Sequence, residues 1–222
     1  ATIRRNYEAQ VRKGKLKADK YEQRLALLTT TLSYGDIKDA DLVIEAATED
    51  ETVKRKIFVA LCPFIKADAI IATNTSSISI TALGAATNRP ERVLGMHFMN
   101  PVPLMSLVEL IRGQATAPES MLVAAELCMR LNKTAVEAAD YPGFIANRIL
   151  LPMINEACYA VMEGVGTPEA VDQVMKLGMN HPMGPLALAD YIGLDIVLAM
   201  SENLYATFKQ EYMAPTPLLR HL

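Results

Sequence analysis

The segment LVIEAATEDETVKRKIFVALCPFIKADAIIAT, residues 42–73, carries the clearest signal of the fold class. Two short apolar runs, 42–46 and 69–73, flank a stretch in which Val53, Ile57 and Leu61 recur at helical spacing. Short runs rich in β-branched residues are typical of buried strands, whereas the spacing between them is typical of a helix with one apolar face. A strand–helix–strand unit predicts that the two strands pair in parallel.

Similar apolar runs continue at residues 93–96, 107–111 and 134–137. Residues 116–119 have the spacing of a capping box with an early proline, which predicts a helix between the last two runs. Upstream, apolar residues at helical spacing predict two helices, the first of them a surface helix that ends at Gly14. We therefore predict an α/β class with a largely parallel sheet.

The pattern changes at Asp140-Tyr141-Pro142-Gly143, after which only helical signals follow. Residues 167–178 predict a helix that begins at Thr-Pro-Glu and ends at Gly178. Residues 191–208 predict one further long helix. The chain therefore divides into an α/β domain over residues 1–139 and an all-α domain over residues 140–222.

The composition excludes several classes of protein. Of the 222 residues, 51% are hydrophobic, and 22 basic against 25 acidic side chains leave a net charge of −3. We expect a real core, no nucleic-acid partner and, without an apolar run of about 18 residues, no membrane span. The three cysteines are far apart and form no CxxC, so we expect neither disulfides nor a metal site, and a cytoplasmic or other reducing compartment.

His97 and Glu109 are the first candidates for chemistry. His97 follows the run 93–96, and reactive groups gather at the carboxyl ends of parallel strands. Glu109 lies inside the next apolar run, where a buried carboxylate requires a partner. On neighbouring strands, Glu109 would fix the tautomer of His97 and raise its basicity, as a general base needs. The alternative is a histidine satisfied by backbone and a glutamate that faces solvent.

Further polar residues lie near predicted strand ends. Asn74-Thr75-Ser76-Ser77 directly follows the run 69–73 and offers hydroxyl and amide groups to a substrate oxygen. Taken alone, these residues favour the alternative of a helix N-cap by Ser77 or Ser79. Asn147 lies near the domain junction, where it either serves a cleft or caps a helix.

The dinucleotide fingerprint GxGxxG occurs nowhere in the 222 residues. If the α/β part binds a dinucleotide, we expect the phosphate-binding turn upstream of Ala1. The charged start at Ala1 and the end two residues after Arg220 suggest a fragment cut at both ends, with a processed N-terminus as the alternative.

A family resemblance extends over essentially the whole chain. Gly95-Met96-His97-Phe98-Met99-Asn100-Pro101-Val102-Pro103-Leu104-Met105, with Leu107-Val108-Glu109, resembles the central motif of the 3-hydroxyacyl-CoA dehydrogenases. Residues 41–46, 74–77, 142–148 and 181–185 resemble four further motifs in the family's order. The chain looks most like the single-function 3-hydroxybutyryl-CoA branch. The implied fold is a partial Rossmann-like doubly wound sheet followed by an all-α domain.

The resemblance assigns roles to residues. It implies that His97 is the general base, taking the hydroxyl proton as hydride leaves C3 for the nicotinamide, and that Glu109 orients it. Ser76 and Asn147 would hydrogen-bond the reacting oxygen region. The family-like positions near the nicotinamide cofactor are Ala46, Glu49, Lys54, Asn74 and Asn100. The implied cofactor is NAD or NADP, with NAD favoured, and the implied substrate is an acyl-CoA.

The helical domain is expected to close the substrate cleft and to form a homodimer. It contains more apolar residues than a small helical core needs, and large apolar surfaces mark interfaces. The residues expected at this interface are Met153, Ile154, Ala157, Val161, Ile196, Val197 and Met200.

Three functions remain open from the sequence. The first is a reversible 3-hydroxyacyl-CoA dehydrogenase for short acyl chains, which the set His97, Glu109, Ser76 and Asn147 favours. The second is a non-catalytic relative or fragment that binds or dimerises without turnover, which the missing glycine-rich turn favours. A different hydroxy-acid dehydrogenase ranks last, because such enzymes commonly use a catalytic lysine.

Overall fold

The computed structural model describes residues 2–221 and consists of two compact units that divide between Asp39 and Ala40. The first unit is a helical hairpin of α1 (Thr2–Arg12) and α2 (Ala18–Ala26), as the apolar spacing predicts. The rings of Tyr7 and Tyr21 meet edge to face, with 6.4 Å between their centroids. Neither helix buries a residue, so the hairpin has no core of its own.

The second unit is built on a five-stranded sheet in the order β1-β2-β3-β4-β5. Its strands are β1 (Leu42–Glu45), β2 (Ile70–Thr73), β3 (Val93–Phe98), β4 (Leu107–Arg112) and β5 (Thr134–Ala139). All five apolar runs of the sequence are therefore strands. The β1–β2, β2–β3 and β4–β5 pairs are parallel, whereas β3 and β4 are antiparallel. The α/β class is confirmed, with one reversal in the sheet.

Three helices follow strands of this sheet: α3 (Glu51–Leu61), α4 (Ile80–Gly84) and α5 (Pro118–Arg130). One face of the sheet forms a core with α5, which includes Leu94, Val108 and Met121. On the other face α4 approaches Gly95, where an added Cβ would lie 2.8 Å from Ile111 Cβ and 3.1 Å from Ile80 Cδ1. Gly95 therefore permits the close packing of α4 on the face that also carries His97 and Glu109.

The predicted capping box at residues 116–119 is wrong, although the helix is present. The hydroxyl of Thr116 accepts the N–H of Gly113 at 2.9 Å and donates to the carbonyl of Val93 at 2.6 Å. Since these contacts bind Thr116 to the sheet, α5 begins at Pro118 without a side-chain cap.

The chain after residue 140 is helical, as predicted. Its helices are α6 (Ala146–Met162), α7 (Pro168–Gly178), α8 (Pro185–Ile192), α9 (Leu194–Phe208) and α10 (Pro217–His221). Thr167 caps α7 as predicted, accepting the N–H of Ala170 at 3.3 Å. The single helix predicted over residues 191–208 is wrong, because Gly193, with a φ of +105°, separates α8 from α9. The domain boundary near residue 140 stays a prediction.

Of the seven apolar residues predicted to form a dimer face, three are buried, whereas Ile196 has an exposed fraction of 49%. Ile154, Ala157 and Val197 are buried, so their assignment to an interface is wrong. The two most exposed apolar side chains of the helical part are Leu177 on α7 and Val165 just before it, with exposed fractions of 78% and 77%, and Val174 on α7 is 60% exposed.

The segment of residues 140–146, which we call the crossing segment, leads from β5 to α6. At its start, the carboxylate of Asp140 accepts the N–H groups of Ile80 and Thr81 at 2.9 and 2.7 Å, together with the hydroxyl of Ser79 at 2.7 Å. Its middle turns sharply, with a φ of +77° at Gly143 and +48° at Phe144. Asp140 thus anchors the crossing segment to the N-terminus of α4.

Over residues 2–221, no helix is long and apolar enough to cross a membrane. Within the same range, no group of three or more histidine, cysteine, aspartate and glutamate side chains is placed to hold a metal ion.

Candidate active site

His97 and Glu109 lie directly opposite each other in the antiparallel pair of β3 and β4. The Nδ1 atom of His97 is 2.8 Å from Oε2 of Glu109. Both residues are buried, with exposed fractions of 8% for His97 and 2% for Glu109. The structure therefore contains the pair that the apolar surroundings of Glu109 predict.

The second oxygen of Glu109 binds the start of α6. Oε1 accepts the N–H groups of Ile145 and Ala146 at 3.1 and 2.9 Å. Burial disfavours the ionised form of Glu109, but the hydrogen bonds from His97, Ala146 and Ile145 outweigh it, so the pKa of Glu109 lies below its ordinary value. One ionised carboxylate thus holds both the histidine and the N-terminal end of a helix.

The contact with Glu109 determines the tautomer of His97. An ionised carboxylate only accepts hydrogen bonds, so Nδ1 carries the hydrogen. In the neutral ring, Nε2 then keeps a free lone pair and can accept a proton. The ring of Phe144 lies 5.8 Å away, centroid to centroid, and covers the imidazole from the crossing segment.

Ser76 is held by Glu49 at the loop after β2. The N–H and the hydroxyl of Ser76 lie 2.8 and 3.1 Å from Oε1 of Glu49, and the Ser77 hydroxyl lies 3.0 Å from the same atom. The alternative of a helix cap is correct for Ser79, whose hydroxyl accepts the N–H of Ala82 at 3.2 Å. Ser77 caps no helix.

Asn147 reaches Ser76 from the helical part. It is buried in the first turn of α6, and its Nδ2 donates to the Ser76 carbonyl at 3.4 Å. The two residues line a small cleft of about 40 Å³. The other lining residues are Ser77, Pro142, Gly143, Leu151, Met200, Asn203, Leu204 and Thr207. The structure therefore brings together both candidates predicted to bind the reacting oxygen.

The residues that resemble the family's cofactor positions lie at the carboxyl ends of β1, β2 and β3. Ala46, Glu49 and Asn100 are exposed there. Asn74 Oδ1 accepts the N–H of Phe98 at 2.9 Å, which leaves the amide hydrogens of Asn74 as donors. An exposed carboxylate with amide groups suits the ribose hydroxyls and carboxamide of a nicotinamide nucleotide, so this edge of the sheet fits the cofactor.

Lys54 is buried beneath this edge, with an exposed fraction of 1%. Its Nζ donates to Oε2 of Glu45 at 2.7 Å, and the Thr73 hydroxyl donates to the same oxygen at 2.8 Å. Burial opposes the charge of Glu45, but the bonds from Lys54, Ala47 and Thr73 outweigh it and lower its pKa. Sequence reasoning missed Glu45, although a carboxylate at the end of a buried strand signals a paired charge.

The chain is similar to known proteins along nearly its whole length. Residues 1–141 match the family model described as 3-hydroxyacyl-CoA dehydrogenase, NAD binding domain, and residues 143–222 match that of the family's C-terminal domain. The 3-hydroxybutyryl-CoA dehydrogenase of Bradyrhizobium diazoefficiens is 52% identical over 219 residues, which are 99% of this chain and 75% of that protein. The enzyme of the same name from Clostridioides difficile is 49% identical over 220 residues, which are 99% of this chain and 78% of that protein.

Among solved structures, (S)-3-hydroxybutyryl-CoA dehydrogenase from Ralstonia eutropha matches with a TM-score of 0.95 and 46% identity. The match covers 99% of this chain and 78% of that chain. Of the two cofactors expected from the sequence, the family model supports NAD. With both family models matched and close relatives aligned over nearly its whole length, this chain belongs to the 3-hydroxyacyl-CoA dehydrogenases, a family of NAD-dependent oxidoreductases.

Proposed function

We propose that this protein interconverts 3-hydroxybutyryl-CoA and acetoacetyl-CoA. The observation that carries the proposal is the buried contact of 2.8 Å between His97 Nδ1 and Glu109 Oε2, which leaves Nε2 as a base at the end of β3. The short acyl chain is supported by the relatives from Bradyrhizobium diazoefficiens and Clostridioides difficile, which are 3-hydroxybutyryl-CoA dehydrogenases by name.

In the oxidation direction, Nε2 of His97 accepts the proton of the C3 hydroxyl. The imidazolium that forms is stabilised by the ionised Glu109, which is already hydrogen-bonded to its other nitrogen. In the reduction direction the same nitrogen returns the proton. NAD, when bound, supplies the hydride acceptor.

Ser76 and Asn147 hydrogen-bond the reacting oxygen in this proposal. Their direct contact at 3.4 Å, together with the small cleft that they line, supports a common role. The residues proposed to hold the cofactor are Ala46, Glu49, Asn74 and Asn100. Lys54 is proposed to contribute indirectly, because its positive charge attracts the Glu49 carboxylate from beneath the sheet edge.

The test replaces His97 by glutamine, which keeps hydrogen-bonding capacity but accepts no proton at neutral pH. We expect kcat with 3-hydroxybutyryl-CoA, followed by NADH absorbance, to fall by about 10² to 10⁴-fold, the usual contribution of a general base. Acyl-CoA affinity, measured by calorimetry, should stay near that of the wild type. His181→Gln, on a histidine outside the site, is the matched control. Wild-type enzyme that fails to oxidise 3-hydroxybutyryl-CoA, or a His97→Gln variant with full turnover, would contradict the proposal.

We also propose that the protein is a homodimer formed through the helical part. The exposed apolar residues on α7, above all Val174 and Leu177, support this interface. We expect Leu177→Glu to shift the mass measured by light scattering from dimer to monomer. The control is Leu122→Glu on α5, at a position that is 70% exposed, where no change is expected. A wild-type monomer at micromolar concentration would refute the proposal.

A reducing cytoplasm is our proposal for the location of the enzyme. Cys62, Cys128 and Cys158 are all unpaired and buried, as is usual for proteins of reducing compartments.

A further inference from the structure

The carboxylate of Glu49 organises the loop that follows β2. Its Oε1 accepts the N–H groups of Ser76 and Ser77 at 2.8 and 3.0 Å. The hydroxyl groups of Thr75, Ser76 and Ser77 lie 2.6, 3.1 and 3.0 Å from the same oxygen. Hydrogen bonds to an ionised oxygen are roughly twice as strong as neutral ones. Glu49 therefore fixes both the backbone and the hydroxyl group of Ser76.

Glu49 is itself held in place although it lies at the surface. Its second oxygen, Oε2, is 3.9 Å from Nζ of Lys54. Lys54 is buried and bound to Glu45 at 2.7 Å, so its positive charge occupies a fixed position beneath the loop. Because a buried charge is little screened by salt, it keeps attracting the Glu49 carboxylate.

Ser76 is held from the opposite side by Asn147, which donates to its carbonyl. The Ser76 hydroxyl has a single hydrogen, which faces Glu49 before substrate binds. It can turn to the reacting oxygen when substrate arrives, because the N–H groups of Ser76 and Ser77 still hold the loop on Glu49. The position from which this hydroxyl can hydrogen-bond the reacting oxygen therefore depends on Glu49.

We propose that Glu49 is a positioning residue of the reaction that acts through Ser76, in addition to any contact with the cofactor. The loop from Thr75 to Ser77 is preorganised by the Glu49 carboxylate before substrate arrives. This inference rests on the proposed function, because Ser76 contributes to turnover only if its hydroxyl meets the substrate.

A double-mutant cycle tests the proposal. We measure kcat/KM for 3-hydroxybutyryl-CoA at saturating NAD in the wild type, Glu49→Gln, Ser76→Ala and the double variant. We expect Glu49→Gln to lose about 10-fold, the effect of weakening charge-assisted bonds. In the double variant we expect a loss within about threefold of that in Ser76→Ala, since coupled residues do not add. Losses that multiply would overturn the proposal.

Hydrogen–deuterium exchange of the cofactor-free enzyme gives a second readout. The amides of Ser76 and Ser77 both donate to Glu49, so Glu49→Gln should speed their exchange by about 10-fold. The matched control is Glu51→Gln, two residues away, which pairs with half-buried Arg55 at 2.8 Å and should change nothing at the loop. Unchanged exchange in Glu49→Gln would overturn the proposal even if turnover falls. Wild-type enzyme without turnover would refute the proposed function, while the exchange would still show whether Glu49 holds the loop.

Discussion

Replacing Glu109 by glutamine should disable His97 while leaving the fold intact. Glutamine has the same shape as glutamate, but one of its two terminal atoms is a donor. The N–H groups of Ile145 and Ala146 require an acceptor, since leaving both unpaired would cost about 1–3 kcal/mol each. The glutamine oxygen must therefore stay with them, and its NH2 group must face His97.

This orientation forces the wrong tautomer on the histidine. The NH2 group donates to Nδ1, so in the neutral ring the hydrogen moves to Nε2 and removes the lone pair proposed to accept the substrate proton. The variant also lacks the charge that stabilises the imidazolium. We expect kcat to fall by about 10² to 10⁴-fold, the range observed when a histidine base loses its proton-accepting state.

The cost in stability should be much smaller than the cost in rate. Each of the two bonds from the helix start weakens from charge-assisted to neutral, a loss of about 1 kcal/mol each. Removal of a buried charge offsets part of this loss. We expect the free energy of unfolding, measured by urea titration, to fall by about 1–2 kcal/mol.

The assay is NADH absorbance with 3-hydroxybutyryl-CoA, beside the urea titration. The matched control is Glu137→Gln on β5, a glutamate paired with Arg112 at the surface, for which both quantities should stay near the wild type. A Glu109→Gln variant with kcat within threefold of the wild type would refute the tautomer reasoning. Loss of folding would show instead that the carboxylate is chiefly structural.

Two further outcomes are expected. The pKa values of Glu45 and Glu109 are lowered in the folded state, so both carboxylates stabilise the fold at pH values above their ordinary pKa of 4.5. This stabilisation disappears as the pH falls through the lower pKa values of the folded state. The urea concentration at the midpoint of unfolding should therefore drop in acid, and Glu45→Gln should make that drop smaller. Gly184→Ala should lower the free energy of unfolding by about 2–4 kcal/mol. The new Cβ would lie 2.2 Å from Asp172 Cγ and would displace the Asp172 carboxylate, which accepts the first N–H groups of α8. In the same titration the control Gly178→Ala, whose nearest neighbour atom is 4.0 Å away, should change the value by less than about 1 kcal/mol.

The three inner strands, β2 to β4, could be predicted because burial on both faces makes them continuous apolar runs, as in β2, where every residue is buried. The direction of β4 was not predicted, because an apolar run does not indicate whether a strand is parallel or antiparallel to its neighbour. A signal was nevertheless present: residues 99–106 are too few for the crossover that a parallel pair requires. The break at Gly193 escaped prediction because a glycine inside helical spacing does not reveal its φ.

Within the site, the pairing of His97 with Glu109 was predictable because a carboxylate among apolar residues requires a partner. The second role of Glu109 was not, since its partners are the backbone N–H groups of Ile145 and Ala146, which have no signature in the sequence. The buried position of Lys54 had a signal, because it shares the helix face of Phe58 and Leu61. Ile154, Ala157 and Val197 were wrongly assigned to the dimer face because apolar spacing alone does not distinguish a helix core from a surface.

The contacts of the site form one continuous chain between β3 and the loop after β2. Glu109 joins His97 to the start of α6, Asn147 extends from the first turn of α6 to Ser76, and Ser76 ends on Glu49. Since α6 supplies the middle of this chain, a displacement of its first turn would disturb both the proposed base and the residues proposed to bind the reacting oxygen. The crossing segment opposes such a displacement, because Asp140 anchors one end of it to α4 while Glu109 holds the other. The candidate residues are thus positioned jointly by the sheet and the helical part, and neither part alone contains the whole candidate site.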